Sequence, residues 1–286
     1  MFFSFLKNVP LRGKYSFLVI FILLKSSYIL VAQDLLLPKG ARSAGMGQCS
    51  VALTGFWNIN DNQAGMALVK DFSAGINYQE RFGMGPLSTK SIAVLYPSHL
   101  GVLGASIDYF GYSLYHEAKF GLAYARFLSP NLRAGVKLDY FQTGYGDHYG
   151  SDNNLTFELG FQYDISRNLT LGGSVFDPVP KSNFRDVTFK LPFVYQIGVA
   201  YRFSKSLLAT VEIERNSELS DFELKAGMEY SIENKYFFRT GLGTMQEIFT
   251  IGFGYKLKDL WVDIAAVVHQ TLGISPQVSL IYSFGL

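Results

Sequence analysis

Segments of about ten residues in which apolar and polar side chains alternate recur along most of this chain, and a period of two admits few folds. Residues 221–232 show it best. Phe222, Leu224, Ala226, Met228, Tyr230 and Ile232 fall on one face of an extended strand, and Glu223, Lys225, Gly227, Glu229 and Ser231 fall on the other. Residues 154–165 repeat the pattern, with Leu155, Phe157, Leu159, Phe161 and Tyr163 set against Thr156, Glu158, Gly160, Gln162 and Asp164. Residues 132–140 do so again, and the last ten residues set Val278, Leu280, Tyr282, Phe284 and Leu286 against a mostly small or polar face. A terminal strand of that kind is what an outer-membrane barrel uses to close.

The punctuation between strands carries as much information. Tight turns are expected at Pro97-Ser98-His99, Ser129-Pro130-Asn131, Ser166-Arg167-Asn168, Ser204-Lys205-Ser206, Glu233-Asn234-Lys235 and Lys256-Leu257-Lys258-Asp259. Seven other connections, near 83, 113, 148, 183, 217, 244 and 273, alternate with them. Short turns on one side and longer loops on the other describe an outer-membrane barrel, and the count predicts about fourteen strands with both barrel ends in the periplasm. The fold class expected is therefore all-β: a transmembrane antiparallel β-barrel.

A soluble two-sheet sandwich also alternates. Two features count against it. Aromatic residues gather near strand ends on the apolar face (Tyr124, Tyr140, Phe161, Tyr163, Tyr201, Phe203, Tyr230 and Tyr255), where interface girdles sit. A sandwich of fourteen similar strands would also leave edges to protect.

Composition agrees. The 286 residues include 28 glycines and 16% aromatics, as a β-rich chain with many turns would. A net charge of +2 argues against a nucleic-acid partner. Residues 1–32 read as an export signal: Lys7, Arg12 and Lys14 precede the apolar run 17–24, interrupted after it by Lys25, and cleavage is expected near Ala32/Gln33. Eight apolar residues are too few to cross about 30 Å of hydrocarbon. Cys49 is the only cysteine, so no intrachain disulfide can staple the fold.

The inward face carries both signs of charge. Arg133, Lys137, Arg202, Lys225 and Arg239 accompany Asp139, Glu158, Asp164, Glu212, Glu214, Glu223, Glu229 and Asp263. A selective pore tends to carry rings of one sign. Mixed charges at this density point to paired groups that fill the interior or hold a plug, hence to an obstructed lumen.

Residues 33–70 break the strand pattern and are rich in small residues, which permit close backbone approach. A segment of this size at the barrel entrance can fold back inside as a plug, leaving 71–286 as the barrel. The run GARSAGMGQCSVAL followed by NINDNQAGMALV resembles the N-terminus of FadL-like outer-membrane barrels, in particular the PorV/PorQ branch found in Bacteroidetes. Gly40, Ala41, Arg42, Gly45, Met46, Gly47, Val51 and Ala52 match the first part of that pattern; Asn62, Ala64, Gly65 and Ala67 match the second. The departures are Gln48-Cys49, where that group favours Gly-Ala, and Gln63, where it favours proline. The resemblance implies a fourteen-stranded barrel with its N-terminal segment in the lumen. It also implies association with the type IX secretion system, where such barrels bind the translocon, shuttle cargo or hold the surface attachment complex.

The four histidines are far apart, and none has a Cys, Asp or Glu at metal-ligand spacing. No serine carries a nucleophile signature. No catalytic residue, cofactor or metal is expected. Loop residues Asp147, Asp152, Asn153 and Asn154 lack the spacing of a calcium loop. Two functions remain. The first is a non-enzymatic accessory component, plug or shuttle, of a type IX secretion or surface-attachment assembly, with outer-membrane lipid and a larger translocon or attachment protein as partners. The alternative is a FadL-like transporter of hydrophobic small molecules. Outer loops expected at about five to fifteen residues supply little material for a capture groove, which favours the first.

Overall fold

The computed structural model describes residues 34–146, 150–178, 191–219, 221–244 and 248–285. The expected export signal and its cleavage point lie outside these. Fourteen strands form one closed antiparallel barrel. They are β1 (Phe72–Glu80), β2 (Ser88–Ser98), β3 (Gly101–Tyr112), β4 (Tyr115–Ser129), β5 (Leu132–Tyr145), β6 (Ser151–Asp164), β7 (Leu169–Phe176), β8 (Val194–Arg202), β9 (Leu207–Asn216), β10 (Glu223–Ile232), β11 (Tyr236–Gly243), β12 (Ile248–Leu257), β13 (Leu260–His269) and β14 (Gly273–Phe284). Each pairs with its sequence neighbours. β1 closes on β14 from Phe72↔Phe284 to Gln79↔Gln277, so the sheet has no free edge.

One end of the barrel, here the turn end, carries the connections β2–β3, β4–β5, β6–β7, β8–β9, β10–β11 and β12–β13 together with the outer ends of β1 and β14. Each of those six turns lies where the sequence places it. The turn at Glu233-Asn234 has both residues at positive φ (54° and 52°), closed by the Lys235 N–H donating to the Ile232 carbonyl at 3.0 Å. That is the primed turn whose twist suits a hairpin. The opposite, loop end is less uniform than the sequence suggests. Its connections run from two residues between β3 and β4 to seventeen between β7 and β8. The wall is uneven too: β4, β5 and β6 have 15, 14 and 14 residues, whereas β7 has 8 and β8 has 9.

Alternation decides which side chains face outward. Ile92, Leu122, Leu159, Leu224, Met228 and Ile251 all stand exposed on the exterior, Leu122 by 66%. Tyr140, Tyr163, Tyr201, Phe203 and Tyr230 are exposed near strand ends. A continuous apolar exterior of this extent needs hydrocarbon around it, and the closed ladder leaves no strand edge exposed to it. Among the described residues no helix is long and apolar enough to cross a membrane.

Candidate functional site: a plugged lumen

Residues 34–71 lie inside the barrel, and their path follows from their size. Gly40 adopts φ 90° and opens the one-turn helix Ala41–Ala44, which packs against β12, β13 and β14. Gly47, at φ 69°, lets the chain turn where it touches β10 and β11. Residues 50–52 then pass β7, β8 and β9, the 3-10 turn Phe56–Ile59 returns to the β1–β3 wall, and the 3-10 helix Gln63–Leu68 lies on β4, β5 and β6.

Contact with the wall is so close that the strands present glycine. Gly75, Gly104, Gly135, Gly160, Gly172, Gly198, Gly227, Gly241 and Gly252 face inward on nine strands, and a β-carbon on any of them would press on plug atoms. At Gly172, Gly227 and Gly241 it would overlap plug backbone: the Val51 carbonyl, the Met46 carbonyl and the Gly47 amide. The sequence shows these glycines on the polar faces of strands. Nothing local says that another segment lies against them.

The GARSAGMG motif acts through Arg42, whose guanidinium forks onto Glu229 of β10 (Nε 2.9 Å, Nη2 2.8 Å) while Nη1 donates to the Thr54 carbonyl at 2.9 Å. A planar fork on a carboxylate fixes geometry as well as charge. Gly45 abuts Gly252, and Met46, fully buried, joins Val51, Ala52, Leu53, Ala200 and Leu208 in an apolar cluster. In the second motif Asn62 caps the following helix by accepting from the Ala64 N–H at 3.2 Å, and it donates to the Val51 and Phe161 carbonyls at 2.6 and 3.0 Å. Ala64 is fully buried, and a β-carbon at Gly65 would sit 2.6 Å from Asn58 Cγ. Gln63, the departure from the resembled pattern, donates to Glu158 of β6. Cys49 is buried, and burial pushes its thiol up, away from reactivity.

The inward charges assemble into separate clusters. Near the turn end, Glu229 accepts from both Arg42 and Arg239 (2.7 Å), and Arg239 reaches Asp263 at 2.6 Å, which also accepts from Trp261 at 3.0 Å. Farther from the turn end on the same wall, Glu212 accepts the Ser50 and Val51 backbone N–H groups at 2.8 and 2.9 Å, and Lys225 binds Glu212, Glu214 and Glu223. On the taller wall, Lys137 lies 3.0 Å from Asp139 and donates to the plug's Asn60 at 2.9 Å; Asn60 donates on to Asp108 at 3.1 Å. Lys119 lies 3.8 Å from Glu158 in the same group. Arg133 pairs with Asp164 at 2.6 Å. Arg202 corrects the sequence reading: β8 ends there, and its side chain is exposed at the turn-end rim instead of joining the lumen charges. Asp108 and Lys119 were missed, although the alternation of β4 puts Glu117 and Lys119 opposite Phe120 and Leu122.

Two groups of the plug itself are strained by burial. Lys39, fully buried, has its ammonium pushed down to about 8, and Asp61, half-buried, has its carboxyl pushed up to about 7. The Lys39 backbone N–H donates to Asp61 at 3.1 Å.

The loop end is different. Leu35, at the leading end of the plug, is buried among Phe110 of β3, Phe141 of β5, Phe176 of β7 and Val194 of β8, with Leu36, Leu87 and Leu191 packed beside them. Phe141 and Phe176 meet edge to face at 5.9 Å, and the Lys119 ammonium sits 5.8 Å from the Phe141 ring. An apolar nest at one end of a lumen that also holds buried ion pairs can hold an apolar molecule.

Taken together, these features define a closed fourteen-stranded membrane-type barrel whose lumen is filled by its own N-terminal segment. No family model and no curated protein matches the chain. Solved structures do. The chain is similar to the toluene transporter TbuX of Ralstonia pickettii, at 15% identity and TM-score 0.66 over 87% of this chain and 99% of that one. It is similar also to the P. putida toluene transporter TodX (14% identity, TM-score 0.67, 88% and 100%) and to a Pseudomonas aeruginosa FadL homologue (12%, 0.65, 86% and 98%). The shared feature is the fold, and the FadL-like part of the resemblance agrees with it.

Proposed function

We propose that this protein is an exported outer-membrane barrel, with its turn end in the periplasm, that admits hydrophobic small molecules from its loop end. The observation that carries this reading is the apolar nest around Leu35, built by side chains of four strands at the loop end of the lumen. Similarity to barrels that are named as toluene transporters supports the class of cargo. The nest removes the objection raised by short loops, because the apolar site is made by inward strand residues. Cargo would take the place of Leu35 and Leu36, and passage would follow rearrangement of the plug. No step requires bond chemistry. The test is uptake of labelled toluene by cells with and without the protein: it rises with the wild-type chain and falls to background with Phe141→Asp. Uptake indifferent to both changes overturns the reading.

The accessory role in a type IX secretion or attachment assembly keeps one supporting observation, a plug locked by backbone contact on many strands. Crosslinking in the native outer membrane followed by mass spectrometry separates the two. Recovery of a larger translocon or attachment barrel, together with unchanged uptake, favours the accessory role.

A further inference from the structure

The turn end of the barrel carries a belt of cations. Arg126, Arg167, Arg202, Lys205, Lys235 and Lys258 occupy five of its six hairpins, against Glu233 and Asp259. Lys235 is half-buried and the other five are exposed. Among the described residues none of the six is in an ion pair. The other charges of this end are matched or face inward: Lys70 stands beside Asp71 in the chain, Arg133 holds Asp164, and the Lys256 ammonium lies 5.3 Å from the Trp261 ring at the mouth of the lumen. The loop end has the opposite balance. Among the described residues its connections carry Asp177, Glu218 and Asp221 against Arg81.

The belt sits at the height of the outer aromatic residues. Arg126 follows Leu122 and Tyr124 on the outer face of β4. Arg202 stands between Tyr201 and Phe203, whose exposed rings meet edge to face at 4.7 Å. The Lys235 ammonium lies 5.5 Å from the Tyr236 ring and 5.6 Å from the Tyr255 ring, on the face that also bears Phe238. Aromatic rings on the outside of a membrane protein mark the boundary between hydrocarbon and headgroups. Long basic side chains rooted there lay their stems on apolar surface and put the charge among phosphates. A protein partner covers one contiguous patch. These cations instead follow the hairpins from β4 to β13 at one height, as a lipid leaflet surrounds a barrel. We infer that the turn end is a binding belt for anionic phospholipids, whose phosphodiester headgroups carry a net negative charge. The belt needs only a bilayer around the barrel. It stands whether or not hydrophobic cargo passes the plug, and whichever leaflet meets the turn end.

Phosphatidylglycerol and phosphatidylcholine with the same spin-labelled acyl chain differ only at the headgroup, so they form the decisive pair of probes. The full-length protein is reconstituted in phosphatidylcholine bilayers, and the fraction of each labelled lipid held motionally restricted by the barrel gives their relative association constant. Phosphatidylglycerol should be preferred by about threefold or more at low salt. Raising salt from about 0.01 M to about 1 M shortens the screening length from about 30 Å to about 3 Å and should remove most of that preference. Combining Arg126→Gln, Arg167→Gln, Lys205→Gln and Lys235→Gln should bring the ratio close to one at low salt. Intact barrels are verified by the mobility shift between heated and unheated samples. If the combined variant does not assemble, Arg167→Gln with Lys205→Gln, both in exposed turns, takes its place and should lower the preference by a smaller factor. The assignment is overturned by equal association of the two lipids at low salt, which would leave the belt to an acidic protein. It is overturned equally by a preference that salt does not change, or by an assembled variant that keeps it in full.

Discussion

The middle of the lumen and its loop end are filled by the same plug with opposite chemistry. Below the loop end the contact is backbone against backbone, through glycines such as Gly227 and Gly241 that leave no room for a β-carbon, and it is pinned by Arg42 on Glu229 near the turn end and by Glu212 on two plug amides. At the loop end Leu35 is buried among apolar side chains. Backbone contact and buried ion pairs have a single geometry, and losing one partner leaves an uncompensated group. Apolar packing is non-directional, so another apolar body of similar size can replace Leu35. The comparison assigns the two regions different work: the middle holds the plug, and the loop end is where cargo can exchange with it.

The largest effect should come from removing the plug. Deleting residues 34–68 should raise conductance in planar bilayers well above that of the intact barrel, and unchanged near-zero conductance would show that wall side chains seal the lumen alone. Gly227→Val comes next. Its β-carbon overlaps the Met46 carbonyl, so the plug must shift or leave, at about 3 kcal/mol; unfolding and conductance measured together would register it. Arg42→Met should cost about 2 kcal/mol, because Glu229 loses a charged fork but keeps Arg239, and the loss should appear as intermittent opening. Leu35→Val should cost only about 1 kcal/mol and leave conductance closed. An opening as large as that of the glycine variant would erase the distinction between the two regions.

The smallest effect is in pH. Asp61 has a raised carboxyl, so the stability linked to it is present in acid and lost as pH rises toward about 7. Lys39 has a lowered ammonium, so its contribution is present at high pH and lost as pH falls through about 8. Plug docking should therefore be weakest between about pH 7 and 8. Conductance noise recorded from pH 5 to 10 should peak there, and Asp61→Asn should remove the acid limb.

The strands were legible because alternation is a local property. Each residue of β10 shows its face through its neighbours two positions away, and the Ser-Arg-Asn and Glu-Asn-Lys turns mark the ends without any knowledge of partners. The charges were legible as inward-facing but not as pairs. Arg202 has the same parity as Gly198 and Ala200, yet it lies one step past the interior, a matter of where the wall stops. Lys119 and Asp108 lie on inward faces by the same parity, so the same signal could have found them.

By itself the sequence determined an all-β chain of fourteen strands, their inward and outward faces, and an N-terminal segment too rich in small residues to be a strand. Only the tertiary structure decided that nine inward glycines meet that segment, that Arg42 finds Glu229, and that Leu35 sits among Phe110, Phe141, Phe176 and Val194. The reason is separation along the chain. A period of two is written within a few residues, whereas the Ala41 N–H donates to a Ser279 hydroxyl 238 positions away, and such a pairing exists only once the barrel has closed around the plug.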